Sequence, residues 1–213
     1  MQKKYFWQTE YSIILLVIFA VILLFMPMSI QNTAQAMFIS KWNEQYNRID
    51  YMFTVIDTHI SDEIIKNFDE TKTSQEKEQL LLMLVKPYLR IDTEHRPPKH
   101  YKPRYMNNTK VFKGEPYYFD EYYFTKNNII AGIKDVKSTN AEEPFFMMMF
   151  DLNGLMPPNR WGKDIFGVNI YDKGKIEPFG AGIEMDELKK DCSKEGSGIT
   201  CSYYYKIGGG FDG

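Results

Sequence analysis

The sequence predicts an α+β fold in which a long N-terminal helix packs on a small antiparallel β-sheet head. Three observations predict it. An uncharged apolar run of about 20 residues lies near the N-terminus, from Tyr11 to Ile30. Apolar residues then continue at helical spacing as far as Ile64. From Glu115 the pattern changes to short aromatic and β-branched runs separated by turn residues, which is typical of strands.

The composition allows one domain with additional segments. The chain has 213 residues, and its formal charge of −2 gives no reason to expect a nucleic-acid partner. Aromatic residues make up 15% of the chain, which is enough to build a core. Neither a Gly-x-Ser-x-Gly elbow nor an HExxH motif occurs. The carboxylates fall in turns or on solvated helix faces, so we do not expect an enzyme.

The apolar run from Tyr11 to Ile30 is long enough to span a bilayer as a helix. Lys3 and Lys4 precede it, so the N-terminus is expected in the cytoplasm and the rest of the chain on the other side. The competing interpretation is a cleaved secretory signal, with an A-x-A site at residues 34–36. Against cleavage, the apolar run is long for a signal peptide, and the helical pattern does not stop at Ala36.

Beyond the membrane segment, one face of the predicted helix is apolar. The steps between its apolar positions are three or four residues, which indicates an amphipathic helix that packs one side on the head. These positions are Phe38, Trp42, Tyr46, Ile49, Phe53, Ile56, Ile60 and Ile64. The chain is therefore divided into a short basic leader-like segment (1–10), a transmembrane half of the helix (11–30), an amphipathic half (31–64) and an α+β head (65–213).

The segment KKYFWQTE, at residues 3–10, resembles the start of a type IV pilin or a type II secretion pseudopilin. In that family a basic leader and a glycine precede a phenylalanine, and a glutamate follows the phenylalanine by four residues. Phe6 and Glu10 have this spacing, and Pro27 lies where the family has a proline that kinks the helix. The resemblance covers the N-terminal helix well and the middle of the chain poorly.

The resemblance implies a structural subunit of a type IV pilus or type II secretion system. Such a subunit lies in the inner membrane as a single-pass protein, with a periplasmic or extracellular head. Its partners would be other pilin-like subunits and a prepilin peptidase, which would cut between Tyr5 and Phe6. Glu10 would pair with the free amine of a neighbouring subunit's first residue, which offsets the cost of a carboxylate in the bilayer. The alternative is that Glu10 marks the membrane edge and lies among the lipid headgroups.

The chain departs from the family at Tyr5, because the peptidase normally cuts after a glycine. We therefore expect little or no processing of the natural chain. This departure keeps an alternative open, a non-assembling single-pass protein whose exported head binds a ligand or partner. A third possibility is a secreted soluble domain released at Ala36.

The middle of the chain predicts a second helix and a basic loop. Residues Thr73 to Glu76 form a capping-box pattern that would begin the helix, and Pro87 is expected to stop it. Residues 92–110 are proline-rich and basic. They form either a contact patch, for an acidic partner or for anionic lipid, or a loop that is simply solvated. The basic residues of this segment include the cluster His95, Lys99, His100, Lys102 and Arg104. The two histidines lack the further ligands of a zinc site.

The second half predicts a sheet of about four antiparallel strands. Asn127-Asn128 and Asp172-Lys173-Gly174 are expected to form hairpin turns. One face of the sheet would take the N-terminal helix, and the other would be partly exposed.

A loop between two of these strands, from Asp151 to Asp164, begins like an EF-hand but lacks its third and twelfth ligands. Four oxygen-bearing side chains could hold calcium, as acidic loops do in some pseudopilins. They are Asp151, Asn153, Asn159 and Asp164. The alternative is that they stabilise turns by bonding nearby backbone groups. No other cofactor is predicted.

Cys192 and Cys201 are the two cysteines of the chain. An exported segment lies in an oxidising compartment, so we expect them to form a disulfide. A C-terminal disulfide loop is also common in type IV pilins.

Overall fold

The computed structural model describes residues 2–67, 73–137, 142–171 and 174–210, without the side chains of residues 2–10, 23–32, 57 and 59–67. The contacts within the chain define two compact units, Met1–Met37 and Phe38–Gly213. The described elements, in chain order, are α1 (Gln2–Asn67), α2 (Ser74–Leu89), β1 (Tyr122–Phe124), a 3₁₀ helix (Lys126–Asn128), β2 (Ile130–Asp135), β3 (Phe146–Asp151), β4 (Ile165–Ile170), β5 (Ile176–Pro178), α3 (Met185–Asp191) and α4 (Cys201–Lys206).

Helix α1 includes the segment that the sequence predicts to be helical. In the first unit, every side chain from Tyr11 to Ile22 is exposed. Among the described residues, no helix combines the length and the apolar character needed to cross a membrane. Residues 23–30, which complete the apolar run of the sequence, lie outside the described side chains.

The second unit is built on an antiparallel sheet in the order β1-β2-β3-β4-β5. Each strand pairs with the next one along the chain, so the sheet is a simple meander. The α+β class is confirmed, with five strands where about four were expected. The run from Pro116 to Thr125 contributes only the three-residue edge strand β1, since the residues before it pack across one face of the sheet.

The first face of the sheet packs against the second half of α1. Its side chains alternate along the strands, as the pleat requires. They include Ala131, Ile133, Phe146, Met148, Phe150, Phe166, Val168 and Ile170. The predicted apolar face of α1 is confirmed at Trp42, Ile49, Phe53 and Ile56, all of which are buried. Ile60 and Ile64 lie outside the described side chains.

Trp42 is the central contact of this interface. Its ring is fully buried and stacks on Phe166 with ring centroids 5.1 Å apart. Its indole N–H donates to the carbonyl of Ser202 at 2.8 Å, which satisfies the polar atom that a buried tryptophan carries. Helix α1 is thereby joined to both the sheet and the C-terminal helix α4.

The second face of the sheet is covered more fully than the sequence suggested. Gly132 and Gly167 lie on this face, and Phe119 and Phe179 pack directly over them. Because glycine has no side chain, each ring can lie flat on the backbone. Trp161, which is fully buried, packs between the two rings and completes a second apolar cluster.

Helix α2 begins as predicted and ends later than predicted. The capping box is confirmed, with Thr73 and Glu76 bonding each other's backbone N–H groups. Pro87 lies inside the helix instead of ending it, because the missing N–H removes only one hydrogen bond and Leu89 still completes the turn. The helix ends at left-handed Arg90, whose N–H donates to the carbonyl of Lys86.

The turn predicted at Asn127-Asn128 is confirmed. Both residues have positive φ, at 72° and 60°, a conformation that asparagine tolerates better than most residues. The turn predicted at residues 172–174 includes Asp172 and Lys173, which lie outside the described residues.

Candidate functional site

Three features of the chain are candidates for function: the exposed surface of α1, the loop between β3 and β4, and a groove beside β1. The side chains of Tyr5, Phe6, Glu10 and Pro27 lie outside the described part of the chain. Their roles in processing and assembly therefore stay predictions.

The exposed surface of α1 is apolar around its whole circumference. Residues 11–22 exceed three helical turns, so their side chains point in every direction around the axis. Leu15 and Leu16 are 66% and 68% exposed, and Val17 and Phe19 are exposed to a similar extent. A helix that is apolar on all sides is normally buried in lipid or in protein.

The β3–β4 loop begins at a buried carboxylate, Asp151. The hydroxyl of Tyr101 donates to its Oδ2 at 2.8 Å, and the backbone N–H of Asn153 donates to its Oδ1 at 3.2 Å. Burial, reinforced by the nearby charge of Asp164, raises the pKa of Asp151 well above its ordinary value.

The loop ends at a second buried carboxylate, Asp164. The backbone N–H groups of Asn159 and Arg160 donate to its two oxygens at 2.8 and 2.7 Å. Burial raises the pKa of Asp164 to about 6, although the two N–H donors act in the opposite direction. Both ends of the loop are therefore fixed by carboxylates that accept hydrogen bonds from the loop's own backbone.

Asn159 joins the middle of the loop to Asp151. In the orientation that satisfies its amide, the nitrogen faces Oδ2 of Asp151 at 3.0 Å and the carbonyls of Gly154 and Met156 at 3.0 and 2.8 Å. The side-chain nitrogen of Asn153 donates to the carbonyl of Pro157 at 3.3 Å. Within the described part of the chain, the buried Oδ1 of Asn153 has no hydrogen-bond donor.

The four predicted calcium ligands thus come together in one loop. Their oxygens, with two backbone carbonyls, have the chemistry that a hard cation such as calcium prefers. However, both carboxylates already accept hydrogen bonds, and the Asn159 amide lies between three acceptors. Within the described ranges, no three His, Cys, Asp or Glu side chains are close enough to hold a metal ion together. Calcium at this loop stays a prediction.

The predicted disulfide is present, and Cys192 is bonded to Cys201. The loop that the disulfide closes is also held by Asp191, which accepts hydrogen bonds from the backbone N–H groups of Ser197 and Thr200. Burial favours a raised pKa for Asp191, but these donors outweigh it and lower the pKa below the ordinary value. The disulfide therefore closes a loop that also has its own polar anchor.

A groove of about 470 Å³ lies between the proline-rich loop and β1. Half-buried Pro97, Pro98, Tyr118 and Tyr122 line its apolar part. Exposed Lys99 and Lys102 lie at its rim. We call this surface the basic groove.

The acidic residues of the basic groove are already paired. Arg96 lies 3.3 Å from a carboxylate oxygen of Glu121 and covers the ring of Tyr123, and Lys113 lies 3.8 Å from a carboxylate oxygen of Asp120. Neither Lys99 nor Lys102 takes part in any of the ion pairs found among the described residues. Two positive charges at the rim are therefore uncompensated.

Sequence reasoning found the lysines of this groove and missed its aromatic wall. Tyr118 and Tyr122 belong to the aromatic runs after Glu115, which the sequence predicts to be strands. The available signal was two aromatic triplets that flank Asp120 and Glu121, but such a run does not distinguish a strand from a segment that lines a cavity.

Comparison with protein-family models, with curated proteins and with solved structures found no match for this chain.

Proposed function

We propose that this protein is a pilin-like or pseudopilin-like structural subunit that assembles with other subunits through its N-terminal helix. The assembly would be a type IV pilus or a type II secretion system. The observation that carries the proposal is the apolar surface of α1 from Tyr11 to Ile22, where every side chain is exposed in the single chain. Such a surface needs lipid before assembly and neighbouring helices after it.

The proposed location is the inner membrane, with the N-terminus in the cytoplasm and the head periplasmic or extracellular. Lys3 and Lys4 precede the apolar run, which is the orientation that the positive-inside rule predicts. The Cys192–Cys201 disulfide supports an exported head, because disulfides persist in oxidising compartments.

The packing of the head on residues 38–56 supports a subunit of this kind. Trp42, Ile49 and Phe53 are buried against the sheet, so this part of the helix is a fixed element of the head. Truncation of a buried tryptophan such as Trp42 to alanine typically costs about 3–5 kcal/mol. Helix–helix packing in a filament would then carry the heads along at defined spacing.

A second candidate is a non-assembling membrane-anchored protein whose exported head binds a partner. Tyr5 favours this candidate, because it stands where the peptidase normally meets glycine. The basic groove is the surface that such a head would use.

The test co-expresses the chain with a prepilin peptidase and reads the N-terminus by mass spectrometry. We expect the natural chain to remain largely uncut, because the ring of Tyr5 must fit where the peptidase normally meets a bare glycine. Tyr5→Gly should be cut efficiently before Phe6. If Tyr5→Gly also remains uncut, the second candidate becomes the better description.

The processed Tyr5→Gly form then tests assembly. Glu10→Ala should hinder assembly, since it removes the carboxylate that would pair with a neighbour's amine, and should barely change membrane insertion, which the apolar run drives. Glu44→Ala, at an exposed glutamate of α1, is the matched control and should assemble normally. Assembly that is equally efficient in all three forms would count against the proposed role of Glu10.

A further inference from the structure

An acidic, partly apolar projection follows the last strand of the sheet. Every residue from Gly182 to Glu187 is exposed, including Ile183 and Met185, which are 38% and 45% exposed. Three carboxylates lie among them, on Glu184, Asp186 and Glu187. None of the three belongs to an ion pair formed among the described residues. We call residues 183–187 the acidic knob.

The basic groove has complementary chemistry. Its rim carries two uncompensated lysines, Lys99 and Lys102, which match the carboxylates of the acidic knob. Its prolines and tyrosines offer an apolar surface for side chains such as Ile183 and Met185. Opposite charges on two surfaces steer and orient a contact, and the apolar centre supplies affinity.

The two surfaces belong to opposite edges of the sheet. Tyr122 of the groove is in edge strand β1, and the acidic knob follows edge strand β5 after two tight turns. At about 4.8 Å between neighbouring strands, the two edges are roughly 19 Å apart. When each groove binds the knob of the next copy, the contact is heterologous, and an open row keeps one free groove and one free knob at its ends.

We propose that the basic groove of one subunit binds the acidic knob of a second copy of this chain, so that heads join edge to edge in an open row. This inference rests on the proposed function, since it names the head contact of an assembling subunit. A lipid headgroup would use only the lysines, whereas the knob uses both the charged rim and the aromatic wall of the groove.

The first experiment maps the contact in the full chain, purified in detergent micelles. Chains of natural isotope content are mixed with ¹⁵N-labelled chains and treated with a zero-length carbodiimide cross-linker. Mass spectrometry should find heavy–light cross-links that join Lys99 or Lys102 to Glu184, Asp186 or Glu187. Self-association of the chain without such cross-links would overturn the inference and leave assembly through α1 untouched.

The second experiment measures self-association by sedimentation. Lys99→Glu/Lys102→Glu should weaken it by about tenfold or more, because like charges then face each other. Glu184→Lys/Asp186→Lys/Glu187→Lys should do the same. A mixture of the two charge-reversed variants should recover the affinity to within about twofold, which loss of folding could not produce.

Two control variants each reverse a single charge of the same sign elsewhere. Lys126→Glu and Glu195→Lys alter exposed residues outside both surfaces, and they should associate like the natural chain. Failure of the mixed variants to recover, or no self-association of the natural chain, would overturn the groove–knob contact. The proposed function is judged separately by the Tyr5 and Glu10 variants.

Loss of binding to anionic phospholipid vesicles in Lys99→Glu/Lys102→Glu, without a change in self-association, would assign the groove to lipid instead.

Discussion

At the scale of single residues, Asp164 is subject to two opposing influences on its pKa. Its two oxygens accept backbone hydrogen bonds, which favour the charged form, while complete burial favours the neutral form. Burial prevails, and the pKa is raised to about 6. The pKa of the nearby Asp151 is also raised, and burial is again the largest cause. The folded chain therefore binds protons at this loop that the unfolded chain releases.

The pH dependence of stability follows from this shift. A carboxylate whose folded pKa lies above its unfolded value of about 3.9 stabilises the fold at low pH, and that stability is lost as pH rises through the folded pKa. The free energy of unfolding should therefore fall between about pH 4 and 7, by roughly 2–3 kcal/mol for Asp164. Asp164→Asn should make this fall smaller and leave the part that Asp151 produces, as measured by urea denaturation at several pH values.

Asp92 provides a control of opposite sign. The backbone N–H groups of His95 and Glu94 lower its pKa to about 2, so its contribution is lost only as pH falls below about 4. Asp92→Asn should leave the decline between pH 4 and 7 in place. A decline of unchanged size in Asp164→Asn would show that other groups produce it.

The Asn159 amide gives a separate prediction about calcium. The amide nitrogen already faces three hydrogen-bond acceptors, so the loop does not need a metal ion to hold these oxygens together. Thermal unfolding curves with calcium and with a chelator should therefore nearly coincide for the natural chain. Asn159→Asp replaces the donor with a carboxylate that faces those acceptors, and it should destabilise the chain by about 1–3 kcal/mol in chelator. A large upward shift of the natural chain's Tm on adding calcium would show that the metal holds the loop.

At the scale of elements, periodicity predicted the parts that depend on local sequence. The capping box of α2 and the apolar face of α1 could be found because each is a repeated or contiguous pattern. The covering of the second sheet face could not, because it depends on Gly132 and Gly167 receiving aromatic rings from distant segments. The aromatic wall of the basic groove also depends on segments that are distant in sequence, residues 96–103 and 118–122.

The aromatic cover over Gly167 gives a test of this packing. A Cβ at Gly167 would collide with the ring of Phe179, which is buried and has little room to move. Gly167→Ala should therefore cost about 1–3 kcal/mol of unfolding free energy. Gly210→Ala, where no atom lies within 4 Å of the new carbon, should change the Tm little. Equal Tm values for both variants would mean that the second face is loosely packed.

At the scale of the whole molecule, the core of the head is closed by contacts between its first helix and its last. The indole of Trp42 donates to the carbonyl of Ser202 across 160 positions of sequence, and Lys206 donates to the side chain of Asn47 across 159. Contacts this distant form late, because the loop between them must be closed first. A ribosome that adds about 5–20 residues per second needs on the order of 8–32 s to make the intervening chain. Throughout that time the apolar face of α1 has no C-terminal partner, so synthesis itself leaves this apolar surface uncovered for many seconds.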